Sequence, residues 1–298
     1  MSNIPAAPQS EAERHALQAR VRTSIAFQFR GFRPLRMIRR ADIVGLWLLF
    51  PYTLTLTWRW FVSFLPPGAF QRATRVSRIG IAIIMPTKNR TQLLQRALLS
   101  LSSQTVLPTE VVIANDGDVF SQADVASFRS ALDPRITLTV IKAAGEGAAM
   151  ARNQAIAATS APIVAYLDDD NLMAAGWMAR VERFFATGTT AILYGAQLRP
   201  GSDRGLLEQR FSLEKLKLNN FIDSSTVVHN REVGVWDVSF RRLNDWDMIL
   251  TAVLQKNVSV KHVVSVASIY LLDAPNRITS TEGTYDEWAV KIRSKHGI

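Results

Sequence analysis

Apolar and polar positions follow one pattern before residue 79 and another after it. After it, short apolar runs alternate with segments of helical spacing. "IGIAIIMPT" (79–87), "EVVIAND" (110–116), "ITLTVIKA" (136–143) and "PIVAYL" (162–167) read as buried strands. Between them, "TQLLQRALLSLSSQ" (91–104) carries apolar residues at 93, 94, 97, 98 and 101, and "GAAMARNQAIAAT" (147–159) is a small-residue helix. Further on, 191–198 and 262–272 read as strands, and 212–221 and 244–255 as helices. This alternation predicts an α/β domain over 79–298, with a mainly parallel sheet flanked by helices. Right-handed crossovers then bring the strand C-termini to one edge, where such sheets bind ligands.

The first 78 residues differ. An arginine-rich polar stretch precedes the apolar, aromatic run "ADIVGLWLLFPYTLTLTWRWFVSFLPPGAF" (41–70), and arginines follow it. The chain carries +10, of which +9 lies in residues 1–78 and +1 in the remaining 220. Basic, aromatic and apolar character together predict contact with an anionic membrane surface, centred on residues 43–65. Pro51, Arg59 and arginines at both ends favour a re-entrant or interfacial element over a simple span. A helical hairpin packed on the rest of the protein is the plainer alternative. The opening 20 residues lack the apolar core of a secretory signal. There is no cysteine, which excludes disulfides, thiolate metal sites and a thiol nucleophile.

Three polar clusters follow predicted strands: "PTKNR" (86–90), "NDGD" (115–118) and "DDDN" (168–171). In a doubly wound sheet they converge on one crevice. In an extended segment Asp168 and Asp170 point the same way and Asp169 points away. Adjacent like charges are costly unless a cation lies between them, and a hard divalent ion takes carboxylates together with phosphates. The alternative is an acidic turn in which Asp170 or Asn171 caps the following helix.

These residues carry a resemblance. "IAIIMPTKNRTQLLQRALLSLSSQTVLPTEVVIANDGD", "GAAMARNQAIAATSAPIVAYLDDDNLMAAGW" and "LKLNNFIDSSTVVHNREVGVWDVSFRRLNDWDMIL" resemble, in order and spacing, the blocks of inverting family 2 glycosyltransferases of the GT-A fold. The resemblance implies transfer of one sugar from a nucleotide-diphosphate sugar, most simply a UDP-sugar, with a divalent ion (Mn2+ or Mg2+). It implies that Pro86, Thr87, Lys88, Asn89 and Arg90 line the nucleotide pocket and that Asp116 accepts from the base edge. Arg152 and Asn153 would lie near the base or diphosphate. Asp168 or Asp169 would reach the ribose, Asp170 with Asp168 would hold the metal, and Asp245 would be the catalytic base. Such a base must deprotonate the acceptor hydroxyl as it attacks.

Departures are Asn244 in place of the usual Glu, Asn115 in place of an Asp, and Asp273 where many members have a His. The Gln-x-x-Arg-Trp motif of processive synthases is absent, so one sugar per encounter is expected. The expected acceptor is a saccharide or lipid-linked saccharide, at the cytoplasmic face of a membrane, since nucleotide sugars are made in the cytosol. Competing classes are an inactive membrane-bound subunit of the same fold and a nucleic-acid binder using the basic N-terminus. The near-neutral remainder disfavours the second, and no nucleic-acid partner is expected. "GEGAAM" (145–150) is an incomplete dinucleotide loop, and the histidines show no ligand spacing.

Overall fold

The computed structural model describes residues 74–200, 202, 205–271 and 283–298. The expected membrane segment at 43–65 and Asp273 lie outside them. Among the described residues no helix is long and apolar enough to cross a membrane.

The architecture is a three-layer α/β/α sandwich. The strands are β1 (Arg75–Val76), β2 (Ile81–Thr87), β3 (Val106–Leu107), β4 (Glu110–Asn115), β5 (Thr137–Lys142), β6 (Ile163–Tyr166), β7 (Asn171–Met173), β8 (Ala191–Leu198), β9 (Leu206–Leu207), β10 (Val227–Asn230) and β11 (Ser259–Tyr270). The helices are α1 (Thr91–Ser102), α2 (Gln122–Ala131), α3 (Ala148–Ala157), α4 (Trp177–Phe185), α5 (Leu213–Leu218), α6 (Asn244–Leu254) and α7 (Tyr285–His296). The main sheet runs β5-β4-β2-β6-β10-β8-β11-β7, with β9 beside β8. β5, β4, β2 and β6 are mutually parallel, while β10 is antiparallel to both β6 and β8.

Strand alternation builds two cores. Ile81, Ile83 and Met85 face one side with Leu94, Leu98, Phe128, Trp177 and Val181, from α1, α2 and α4. Ala82 and Ile84 face the other with Ala151, Ala155, Trp246, Ile249 and Ile292, from α3, α6 and α7. A strand buried on both faces loses the polar half of its alternation, so it reads as a continuous apolar run.

Several elements depart from the sequence reading. β7 pairs antiparallel with β11, so Asn171–Met173 is strand and not the entry to a helix. The following helix starts at Trp177 with Gly176 as an N-cap lacking any side-chain bond, so the acidic triplet is not its cap. α2, α7 and β10 were not expected. Both missed helices begin with a capping box, Ser121 with Asp124 and Thr284 with Glu287, a pattern visible in the sequence. β10 is four residues long and lies between β6 and β8.

The folded domain takes in Arg75–Arg78. β1 pairs with β3, and the Glu182 carboxylate accepts from the Arg75 guanidinium, from Ser77 Oγ at 3.1 Å and from the Arg78 N–H at 2.6 Å. The Arg75 hydrogen bond, offset by burial and helped by Arg78 and Ser77, lowers the Glu182 pKa to about 2. A depressed carboxylate pKa stabilises the fold above the unfolded value and loses that effect as pH falls through the folded one. The melting-temperature gap between wild type and Glu182→Gln is therefore expected to be full at pH 7. It should close between the ordinary value of 4.5 and about 2. Thermal melts across that range check this, and a gap unchanged by pH would count against the ion pair.

Candidate functional site

At the C-terminal edge of the sheet, β2, β4 and β6 each deliver a polar cluster. After β2 the chain turns at Asn89, which adopts φ 57°, a conformation short polar side chains tolerate. Asn89 braces the neighbouring loop: its Nδ2 donates to Asp118 Oδ2 at 2.9 Å, and its Oδ1 accepts from the Asp118 N–H at 2.8 Å. Its own N–H donates to Asn115 Oδ1 at 3.0 Å. Asn115, the departure from an acidic residue, therefore serves as a hydrogen-bonding strut between the two loops. Pro86 and Thr87 are buried at the end of β2, and Lys88 is exposed.

Asp116 follows β4 and is 8% exposed. Its Oδ2 accepts from the Gly147 N–H at 3.0 Å. Its Oδ1 is buried with no hydrogen-bond partner among the described residues. A buried carboxylate oxygen left unpaired is costly, which marks a place for a donor from outside the chain. Gly147 has φ +96°, and a Cβ there would lie 2.4 Å from Arg241 Nη1. The positive φ favours glycine there, since a side chain would be strained whatever the space.

The acidic triplet is a turn between β6 and β7, not an extension of the strand. This corrects the expected alternation, because all three carboxylates find cationic partners. Arg152 Nη2 donates to Asp168 Oδ1 at 2.7 Å, and Ser224 Oγ donates to Asp168 Oδ2 at 3.0 Å. Asp169 is not turned away: Thr87 Oγ1 donates to its Oδ2 at 2.6 Å and Arg90 Nη1 to its Oδ1 at 3.0 Å. Burial raises the Asp169 pKa, against the pull of Thr87 and Arg90. Asp170 faces Arg90 Nη1 at 3.6 Å, beyond hydrogen-bond length.

Arg152, on α3, is 5% exposed. Besides Asp168 it reaches Asn244 Oδ1 at 3.4 Å, and its guanidinium lies 4.4 Å over the Trp236 ring. Asn153 turns elsewhere. Its amide brackets the Trp236 backbone, donating to the carbonyl at 2.7 Å and accepting from the N–H at 2.9 Å. It thus fixes the loop that carries Trp236.

Asp245 stands in the first turn of α6. Its Oδ1 accepts from the Trp246 N–H at 2.9 Å and from Asn220 Nδ2 at 3.0 Å. Burial raises its pKa above the ordinary carboxylate value. The Trp246 N–H, Arg152 and Asn220 oppose that shift, and Asp168 adds to it. The residue before this helix start, Leu243, has φ 58° with no side-chain cap. A bulky residue there is strained, and such strain gathers at functional sites. Trp246 is fully buried with Nε1 donating to the Leu216 carbonyl at 2.6 Å, so it is a core residue. His229 is structural too. It is buried, hydrogen-bonded to Tyr166 Oη at 2.7 Å, and burial lowers its pKa to about 4.

The sequence reading missed Asp223, Ser224, Asn220, Arg199 and Trp236. Asp223 caps the 3-10 turn Ser224–Thr226 through the Ser225 N–H at 3.0 Å. Burial first, then Asp168 and Asp245, push its carboxyl up to about 7. "FIDSS" carries the signal for this turn, an Asp followed by two small hydroxyl residues.

The chemistry is that of a polar cleft with carboxylates from two distant parts of the chain held around one buried arginine. A hard divalent ion takes one or two carboxylates and fills its remaining positions from water or phosphate. Asp170 fits that donor set as a carboxylate whose side chain is 12% exposed. Asp168 fits less well, because Arg152 and Ser224 already occupy both of its oxygens. Among the described residues no three His, Asp or Glu side chains form a self-sufficient metal cage.

Known proteins share this fold. The chain is 24% identical over 233 residues to the uncharacterized glycosyltransferase YwdF of Bacillus subtilis (strain 168), covering 73% of this chain and 84% of that protein. It is 37% identical over 91 residues to validoxylamine A glucosyltransferase of Streptomyces hygroscopicus subsp. limoneus, covering 30% of this chain and 20% of that one. Among solved structures, S. aureus TarS 1–349 in complex with UDP-GlcNAc superposes with a TM-score of 0.58 at 15% identity, covering 73% of this chain and 65% of that chain. The same protein in complex with UDP gives 0.52 at 14% identity, covering 73% and 70%. The chain spans 43% of the longer S. aureus TarS chain. These likenesses share the fold, an α/β GT-A sheet with helices on both faces. The model of glycosyl transferase family 2 matches residues 82–240, more than half of the chain. The chain therefore belongs to that family and is a glycosyltransferase.

Proposed function

We propose that the enzyme transfers a single sugar, with inversion, from a nucleotide-diphosphate sugar to a saccharide or lipid-linked acceptor. The carrying observation is the meeting of two acidic groups around Arg152: Asp168–Asp170 at the end of β6, and Asp245 at the start of α6. An inverting displacement needs charge stabilisation on the leaving-group side and a base on the opposite side. The donor is most simply a UDP-sugar. The unpaired Asp116 Oδ1 supports this reading, because a carboxylate only accepts hydrogen bonds and a uracil edge offers an N–H. UDP and UDP-GlcNAc are bound by the structural neighbour TarS, and that adds to the support.

In this reading Pro86 to Arg90 border the nucleotide, and Arg90 holds Asp169 and Asp170 toward the diphosphate. Asp170 would hold a divalent ion, Mn2+ or Mg2+, whose charge would offset that gathering on the leaving diphosphate. Asp245 takes the proton from the acceptor hydroxyl as its oxygen bonds to the anomeric carbon. Its raised pKa matches a base better to neutral pH than an ordinary carboxylate. Residues 1–78 would hold the enzyme at the cytoplasmic face of a membrane, on the strength of their +9 charge and aromatic, apolar run.

A thermal-shift panel of UDP, GDP and dTDP, each with and without manganese, tests the donor site. UDP is expected to raise the melting temperature by mass action. The manganese-dependent part of that shift should vanish in Asp170→Ala. A folded protein that no nucleotide shifts would overturn the reading.

Asp245→Asn is expected to keep nucleotide binding while turnover falls at least about a hundredfold. The sign of the stability effect follows from the raised pKa. The ionised carboxylate costs the folded state stability at pH above its ordinary value. The variant should therefore melt higher than wild type at pH 8, with the gap shrinking toward pH 4. Undiminished turnover would remove Asp245 from the role of base.

A further inference from the structure

The order of strands across the sheet edge assigns a task to Asp223, which the reading above leaves unused. The edge runs β4, β2, β6, β10 and β8. Asp116 follows β4, Thr87 to Arg90 end β2, and the acidic triplet follows β6. β10 runs antiparallel, so its start lies at this same edge: Val227 pairs with Tyr194 of β8, while its far end, Asn230, pairs with Ile163 at the beginning of β6. Asp223 and the turn Ser224–Thr226 lead directly into that start. With strands about 4.8 Å apart, the distance from β4 to β10 is about 14 Å, the scale of an extended nucleotide sugar. A base at Asp116 and a diphosphate at the triplet therefore leave the sugar end at β10.

The local geometry agrees. Asp223 sits beside the donor carboxylate, since the next residue, Ser224, hydrogen-bonds Asp168 Oδ2 at 3.0 Å. It is also near enough to the proposed base for the two charges to affect each other. One oxygen is committed to its own turn through the Ser225 N–H. The other, Oδ2, faces Arg199 Nη2 at 3.7 Å, beyond hydrogen-bond length, and the side chain keeps 20% of its surface exposed. Arg199 is held from behind: its Nε donates to Gln197 Oε1 at 2.7 Å and its guanidinium lies 5.0 Å over the Tyr270 ring. A carboxylate oxygen and a braced guanidinium thus stand side by side between the leaving-group side and the base.

We propose that Asp223 is a sugar-binding residue that accepts a hydrogen bond from a hydroxyl of the transferred hexose, with Arg199 beside it as a donor. This rests on the nucleotide-sugar reading above. The bland alternative is that Asp223 only caps its turn and thereby steadies Ser224 and Asp168.

Calorimetric titration at pH 8 with manganese separates the possibilities. The probes are UDP, UDP-glucose, UDP-galactose and UDP-N-acetylglucosamine. Wild type, Asp223→Ala and Asp223→Asn are compared, the last because Asn keeps an oxygen for the cap. In both variants the Kd for UDP is expected to stay within about twofold, which also shows that they fold. The Kd for the best UDP-hexose should rise about tenfold, the usual scale for a lost charge-assisted hydrogen bond. An unchanged ratio of UDP-hexose to UDP affinity in both variants would overturn the proposal. So would a loss confined to Asp223→Ala, since the cap alone would then explain it. Wild type binding neither UDP nor any UDP-hexose would instead strike the nucleotide-sugar reading itself.

Discussion

The buried guanidinium of Arg152 is the constraint on which the site depends. Asp168, Asp223 and Asp245 come from separate parts of the chain; Asp168 and Asp245 raise the cost of ionising Asp223, and Asp168 raises that of Asp245. Taking a charge out of water is expensive unless it is paired and hydrogen-bonded. Arg152 supplies the compensating charge, bonding Asp168 directly and reaching Asn244 beside Asp245. Its own orientation is set by packing. Trp236 lies against its face, Trp236 Nε1 donates to Tyr166 Oη at 3.0 Å, and Tyr166 Oη meets His229 Nε2. The other imidazole nitrogen faces the Asn230 carbonyl at 2.8 Å, so it carries the proton and Nε2 accepts from Tyr166. With burial keeping this histidine neutral, Trp236 Nε1, Tyr166 Oη and both imidazole nitrogens have partners, which gives a rigid backing to the face of Arg152.

The sheet lines these groups up along one edge. Small residues on α3 let that helix lie close to β2 and β4, which brings Arg152 under the triplet and Gly147 against Asp116. α6 enters through the strained Leu243 and brings Asn244 to Arg152 at 3.4 Å, with Asp245 the next residue. At the far end of α6's first turn, Asp247 is tied down by Lys295 and His296 of α7, each at 2.8 Å. The helix bearing the proposed base is thus anchored by the last helix of the chain.

Much of the fold was legible because its parallel strands are apolar throughout, and α1 and α6 carry their apolar residues at helical spacing. The positions of Asp116, the triplet and Asp245 could be read from polar residues immediately after those strands or opening a helix. What could not be read has physical causes. The triplet leaves strand geometry, so alternation misassigned Asp169, which only the tertiary contacts with Thr87 and Arg90 explain. β10 is too short to show a period, and it lies between β6 and β8, so Asp223 at its entrance was invisible as a site residue. Asn153 carries a polar side chain in the right block yet spends it on the Trp236 backbone, a pairing across 83 residues that spacing does not reveal.

In the proposed transfer, Asp245 takes the acceptor's proton on one face of the sugar while the diphosphate leaves from the other. The most direct measurement is proton NMR of the free sugar released from a UDP-α-hexose with water as the acceptor. Inversion with Asp245 as base makes the first sugar formed the β-anomer, and its release is lost in Asp245→Asn. Release of the α-anomer, or release that Asp245→Asn leaves unchanged, would contradict it.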